Sequence, residues 1–337
     1  MNRFSFFDAT SIEEALNQVN ATVSETIQPD GPEKATVLKA GGIDLLDLMK
    51  EGLSRPVKLV DIRNIPDCAV ITYDPKKGLR MGANVTLSDI AANDKVRSEY
   101  FALHQAAAHA ATPQVRNMAT LGGNLAQRTR CWYFRSKEHV CYRKGGDICF
   151  ARFGENMYHA IFLNEDCGSV HSSSLSTALL AFDAAVEITN KAGKVRVVSM
   201  KEFFVPPSVD PARENILENS ELITAVIVPL PGDNLKSHYI KMGERESHDW
   251  PIADVAVVLE MDGTKCRKAT IALGAAAPVP MLARSSMDHL RGKTLDEQTA
   301  GEAAAMAMAD ATPMTKNAYK VQVFETIIRR ALLAAIS

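Results

Sequence analysis

Arg116-Asn117-Met118-Ala119-Thr120-Leu121-Gly122-Gly123-Asn124-Leu125 is the stretch on which the reading of this chain turns. A glycine pair lets the backbone bend tightly and approach a ligand closely. Thr120 and Asn124 flank the pair with side chains able to hydrogen-bond a phosphate or a ribose. Gly41-Gly42 repeats the device upstream, between an expected strand at 37–40 and an expected helix at 43–50. A helix N-terminus leaves backbone N–H donors open to an anion. Both turns suit a diphosphate, although a glycine pair taken alone is more often a simple turn. No Gly-x-Gly-x-x-Gly stands at the first turn, which argues against a Rossmann dinucleotide site.

Outward from these turns the chain reads as α+β. The N-terminal part mixes short strands (4–7, 37–40, 57–60) with helices, the first capped by Ser11 with Glu14 three residues on. A hairpin is expected from 69–73 and 79–81. An alanine-rich helical stretch follows at 88–111, with a break near Asp94. A helix at 175–180 leads to a second hairpin, 184–188 with 195–198, around Ala192-Gly193. Residues 205–219, with three prolines, read as a linker or wrapping loop. Beyond them come strands at 223–228, 238–242, 255–261 and 268–273, then helices. The last helix carries Tyr319, Val323, Phe324, Ile327, Ile328, Ala331 and Leu332 near a period of 3.6. A sheet under helices is the expected second domain. A length of 337 residues is itself long for one core. The expected division is 1–220 and 221–337.

Hydrophobic residues make up 46% and charged residues 23%, and the net charge is -2, so nothing pulls the whole chain toward nucleic acid or an anionic membrane. No apolar run reaches membrane-span length. The opening Met1-Asn2-Arg3-Phe4-Ser5-Phe6-Phe7-Asp8 meets an acid before a signal-peptide core develops, so no export signal is expected and cytoplasm is the default compartment. Arg128, Arg130, Arg135 and Lys137 form a local basic group, read as a solvated loop. Ser172-Ser173-Ser174 lies beside His171 without a Gly-x-Ser-x-Gly elbow, so a serine hydrolase is not supported. His104 and His109 are five apart, off the i,i+4 face, and read as ordinary histidines; Met306, Met308 and Met314 read as helix packing.

Residues 126–168 break the pattern, with weak periodicity, many charges and four of the six cysteines: Cys131, Cys141, Cys149 and Cys167. The intervals of nine, seven and seventeen residues exclude paired Cys-x-x-Cys zinc spacing. Loops of this length can still gather four sulfurs about one metal centre, and free thiols are the alternative. Cys68 and Cys266 sit in apolar or strand contexts and read as structural.

Several stretches, in order, resemble the FAD-binding subunit of the molybdenum hydroxylases, the xanthine dehydrogenase, aldehyde oxidoreductase and CO dehydrogenase family. They are 39–45 (Lys-Ala-Gly-Gly-Ile-Asp-Leu), 82–87, 114–125, 170–175, 273–280 and 317–320, nearly the whole chain. The resemblance implies a PCMH-type FAD-binding domain followed by a CO-dehydrogenase-flavoprotein-like C-terminal domain. By the same resemblance Leu38, Lys39, Ala40, Gly41, Gly42, Ile43, Asp44 and Leu45 wrap the diphosphate. Thr120, Leu121, Gly122, Gly123 and Asn124 cover the phosphates and the approach to the flavin, and Thr112 and Arg116 share that loop. Ser174 stands where the family commonly has an aspartate, Ile43 where a polar residue is usual, and Lys241 is a candidate flavin neighbour.

The stretches around Cys131, Cys141 and His159 resemble an insertion found in periplasmic-type aldehyde oxidoreductases and 4-hydroxybenzoyl-CoA reductase. That resemblance implies a [4Fe–4S] cluster on the four cysteines, as electron relay, reservoir or staple. It also implies partners: a large subunit with the molybdenum cofactor, a small one with [2Fe–2S] clusters, and an external electron acceptor. No side chain here is then expected to act as general acid or base on the substrate. A stand-alone PCMH-type flavin oxidase is the rival. Export with a signal-bearing partner is the alternative to the cytoplasm.

Overall fold

The computed structural model describes residues 1–245 and 248–337. Its N-terminal layer is a three-stranded parallel sheet of β1 (Ser5–Asp8), β2 (Thr36–Lys39) and β3 (Lys58–Asp61), with β3 in the middle. Parallel pairing needs crossovers, and the helices Ile12–Gln18 and Ile43–Lys50 lie on them. The second helix buries Leu45, Leu48 and Met49, and Leu46 packs partly against them.

A five-stranded antiparallel sheet follows. β4 (Ile71–Asp74) and β5 (Gly78–Gly82) form the first expected hairpin; β6 (Ala185–Asn190) and β7 (Val195–Ser199) form the second. β8 (Glu221–Val228) lies between β5 and β6 and hydrogen-bonds both. The sequence division at 220 assigns this strand to the second unit, whereas its pairing ties it to the sheet of the first. Its run of Leu222, Ile223, Ala225, Val226 and Val228 is buried on both faces, as a central strand requires.

The long helical stretch is broken twice, into Leu87–Ala92, Asp94–Glu99 and Phe101–Ala108. Asn93 stops one helix and caps the next by accepting a bond from the Val96 amide. Tyr100 leaves helical geometry to bury its ring edge-on against Phe182 and donate its hydroxyl to the Pro229 carbonyl.

The C-terminal layer is a meander of β9 (Leu235–Met242), β10 (Ala253–Asp262), β11 (Lys265–Gly274) and the short β12 (Met281–Leu282). β10 and β11 are joined at Asp262-Gly263, with Gly263 in the left-handed region. One face of this sheet packs under the helices Arg284–Leu290, Glu297–Met308 and Tyr319–Ile336. The other, through Tyr239, Ala256, Val258 and Ala272, joins the core around the helix Ser174–Ala181. The last helix buries Phe324, Ile327, Ile328, Ala331 and Leu332 as its period predicts, and leaves Tyr319 at its exposed start. Met308 packs in the core, but Met306 faces outward, so the packing reading fails there.

Candidate cofactor site

A cleft of about 490 Å³ runs between the three layers, within the range of small-molecule and cofactor sites. Of the residues expected to hold the cofactor, all but Arg116 and Leu121 line it. Leu121 is buried in the core beneath. Arg116 turns away and donates to the carbonyls of Ala110 and Ala111, at 3.0 and 2.7 Å. It thereby holds a turn in which Ala111 has a positive φ of 44°. Thr112 caps the short helix Pro113–Arg116 by accepting from the Val115 amide.

The two glycine turns lie side by side. A Cβ at Gly41 would collide with the Met118 carbonyl, and one at Gly123 would touch Ala40 and Thr120. They nevertheless offer different groups. The amides of Leu121, Gly122 and Gly123 are taken by the Val85 carbonyl, the Ala83 carbonyl and the Thr120 hydroxyl. The amides of Gly41 through Leu45 have no partner among the described residues. Gly42, at φ 78°, turns the chain so that these amides form the N-terminus of the helix Ile43–Lys50. The first turn thus presents donors and a helix dipole to an anion, and the second supplies a close-fitting wall.

Charged groups at the cleft are mostly committed elsewhere. Lys39 donates to Asp61 at 2.9 Å, and Arg63 grips the same carboxylate. Burial pushes Asp61 up, but the bonds from Arg63 and Lys39 outweigh it and hold the carboxyl below its usual range. Asp44 accepts from the Arg128 amide at 2.9 Å and pairs with Arg130 and Arg135, so its carboxylate faces the cysteine-rich segment. Lys241 donates to the carbonyls of His109 (2.6 Å) and Asp249 (3.1 Å), and burial lowers its pKa. Ser174 and Asn124 reach the cleft side by side; Ser173 caps the following helix and hydrogen-bonds Asn124 at 2.5 Å.

The sequence reading missed several wall residues. Ala83 and Asn84 lie in a stretch it had noted, but Arg130 and Trp250 had no local signal. The Arg130 guanidinium stacks 4.7 Å above the Trp250 ring, joining the segment 126–168 to the β9–β10 loop across the cleft. The solvated-loop reading of the basic group is overturned for its arginines. Arg128 is fully buried and pairs with Glu214, which also takes the buried Arg143. Arg130 and Arg135 pair with Asp44 and Asp47. The carboxylates that pair Arg128, Arg130 and Arg135 lie more than eighty residues away, so no window of sequence contains both partners.

Cys131, Cys141, Cys149 and Cys167 are drawn to one small cavity, floored by Tyr133, Phe134 and Arg143. All four are free thiols. Among the described residues no three or more His, Cys, Asp or Glu side chains stand close enough together to hold a metal ion. The sulfurs are near polar groups: Cys131 Sγ lies 3.2 Å from His159 Nε2, Cys149 Sγ accepts from the Gly168 amide at 3.4 Å, and Cys167 Sγ lies 3.3 Å from the Ser169 hydroxyl. Burial pushes Cys131 up to about 12. Cys167 is held well below the ordinary thiol value, by its bond with Cys149 first and then by Arg143 and Ser169, against burial. Cys68 and Cys266 are buried away from this group, as expected.

Comparison with known proteins agrees with this geometry. Residues 2–231 match the family described as the FAD binding domain in molybdopterin dehydrogenase. Residues 238–335 match the CO dehydrogenase flavoprotein C-terminal domain. The aldehyde oxidoreductase FAD-binding subunit PaoB of Escherichia coli K12 is 34% identical over 301 residues, 88% of this chain and 90% of the relative. The carbon monoxide dehydrogenase medium chain of Afipia carboxidovorans is 27% identical over 297 residues, 87% of this chain and 86% of the relative. Among solved structures, quinoline 2-oxidoreductase from Pseudomonas putida 86 superposes with a TM-score of 0.73 at 26% identity, covering 99% of this chain and 97% of that one.

Proposed function

The chain belongs to the family of FAD-binding domains of the molybdopterin dehydrogenases, and on that premise we propose that it is the FAD-binding electron-transfer subunit of a molybdenum-containing hydroxylase of aldehyde or xanthine dehydrogenase type. The observation that carries the reading is the row of amides at Gly41 through Leu45, without a partner among the described residues, at a cleft of cofactor size. A diphosphate needs such donors, and the close second turn fits a group that must be enclosed. FAD, when bound, supplies the capacity to take up two electrons and release them one or two at a time. The chain's own residues bind and orient it. The amides of 41–45 would hold the diphosphate, Thr120 and Gly123 keep the opposite wall close, and Lys241 sets a positive charge at the far end. No side chain need act on the organic substrate.

Partners complete the reading. A large subunit carries the molybdenum cofactor and a small one the [2Fe–2S] clusters, and electrons leave to an external acceptor. The division of labour is an FAD-binding unit with an insertion at 126–168 and a C-terminal unit beginning after β8. The four cysteines are read as ligands of a [4Fe–4S] cluster. In support, one cavity gathers four soft donors, and the buried Arg143 beside Cys167 and Cys141 supplies positive charge where anionic thiolates would stand. No described helix is long and apolar enough to cross a membrane. We place the complex in the cytoplasm, where free thiols persist, with co-export on a partner as the alternative.

Expression of the chain by itself, and with its two partners, tests the function. Bound FAD without substrate turnover in the lone chain, and co-purification of all three, are the expected results. Turnover by the lone chain supports the stand-alone oxidase instead. Anaerobic purification followed by iron and sulfide analysis tests the cluster separately; iron-free protein with full FAD removes that part alone.

A further inference from the structure

Behind the cleft, between the helix Ser174–Ala181 and the C-terminal sheet, lies a small group of buried polar side chains that cofactor binding does not explain. Asp254 on β10 is 1% exposed, and its Oδ1 has no hydrogen-bond partner among the described residues. Lys241 stands directly across from it on β9, and Tyr239 lies two residues along the same strand, so all three project from one face. Ser174 and Thr177 come down from the helix at i,i+3. The Tyr239 and Thr177 hydroxyls are both buried, and neither has a hydrogen-bond partner among the described residues.

Room for this group is made by a glycine. Gly274 is the β11 residue opposite Asp254, and a Cβ there would overlap both the Asp254 carboxylate and the Thr177 hydroxyl. A carboxylate in an apolar junction is costly unless it has a function or a counter-charge. The neighbouring cations are both engaged: Lys241 with two carbonyls, and Lys320 of the last helix with the carbonyls of His159 (2.9 Å) and Ala275 (2.7 Å). Ser174 and Lys241, at the front of the group, line the cleft; Asp254 is at the back.

We propose that Asp254 is a buried proton-binding group coupled to the cofactor cleft, taking up a proton as the cleft gains negative charge and releasing it as that charge leaves. The proposal rests on the reading that the cleft holds FAD. Electrons entering the cleft from a partner's redox centres bring negative charge into a buried site, and a proton neutralises it. A proton from solvent forms the Asp254 O–H bond as the charge arrives, and that bond breaks and the proton returns to solvent as the charge leaves. Nothing in the group itself is oxidised or reduced. Asp254 is suited to this task near neutral pH. Burial pushes it up to about 7, against the lowering effects of Thr177, Lys241 and Lys320. Lys320 is itself brought down to about 7 by burial, with Asp254 opposing. The groups facing Asp254 are thus Tyr239 and Lys241 from β9, Ser174 and Thr177 from the helix, and Lys320 from the last helix; β11 offers only Gly274.

The test is a spectroelectrochemical titration of the flavin in the full FAD-loaded chain from pH 5.5 to 8.5. The wild type is expected to show a change of slope of midpoint potential against pH near neutrality, and Asp254→Asn to lose it. Superimposable profiles overturn the proposal. Thr177→Val serves if the asparagine variant does not fold. Thr177 favours the charged carboxylate, so its loss moves the break to higher pH, and a break that stays in place overturns the proposal equally. A colourless wild-type chain removes the FAD reading and this inference together; a yellow wild type with an unmoved profile removes the inference alone.

Discussion

Replacing Gly41 by alanine tests the cradle at the point where its geometry is tightest. An ideal Cβ at this position lies 1.9 Å from the Met118 carbonyl oxygen, 2.9 Å from the carbonyl carbon and 3.3 Å from Ala119 Cα. All three are backbone atoms, so no side chain can rotate away. Reaching even 3.0 Å requires the two glycine turns to part by 1.1 Å, the difference between 3.0 and 1.9 Å. Overpacking of this kind costs about 1–3 kcal/mol. The cost falls on the closed cleft, because the collision is between its two walls. If the turns separate to relieve it, the open amides of 41–45 lose their register with the opposite wall, and FAD affinity falls by about 5- to 150-fold. The assay is fluorescence titration of apoprotein with FAD, with thermal unfolding measured on the same samples. Gly193→Ala is the control. It has a positive φ of 74°, but nothing lies within 4 Å of its Cβ and it does not line the cleft, so it costs about 1 kcal/mol of stability and leaves FAD binding unchanged. An alanine at 41 that binds FAD with wild-type affinity refutes the side-by-side arrangement of the turns.

Three further outcomes follow from the same geometry. Glu214→Gln leaves the buried guanidinium groups of Arg128 and Arg143 without their shared counter-charge, and chemical denaturation should show a loss of about 3–5 kcal/mol. His171 is lowered to about 3, by burial first and then by Arg143, and its ring packs edge-on to Phe204 at 4.4 Å. Its folded value lies below the unfolded one, so its stabilising contribution is complete above pH 6.5 and declines as pH falls from there toward 3. His171→Phe should therefore flatten the stability profile across that window, and an unchanged slope counts against the buried neutral imidazole. Cys131→Ser should lower iron content in anaerobically purified protein while leaving FAD in place; equal iron in mutant and wild type removes Cys131 from the ligand set.

The sequence carried much of the architecture because that information is local. The period of the last helix, the two hairpins and the two glycine turns each depend on residues within a short window. The turn at 41–42 was recognisable because glycine between a strand and a helix has few other uses. What escaped was non-local. The apolar run of β8 fits either sheet, so sequence places the strand in the second unit, and only its pairing with β5 and β6 tells the two apart. Asp44 lines the cleft with an open amide, but that its carboxylate answers arginines far along the chain has no local signal. Arg130 and Trp250 meet across the cleft with no motif to join them. The equal reading of the two glycine pairs also dissolved at this level, because Val85, Ala83 and Thr120 saturate one set of amides and leave the other open.

The measurement closest to the central claim is anaerobic absorbance of the flavin, first in the isolated chain and then in the complex with its large and small partners, on addition of an aldehyde or xanthine. The lone chain should be yellow and stay so, and its flavin should bleach only when the partners are present. A lone chain whose flavin is bleached by the substrate, or an intact complex with no flavin absorbance, contradicts the account.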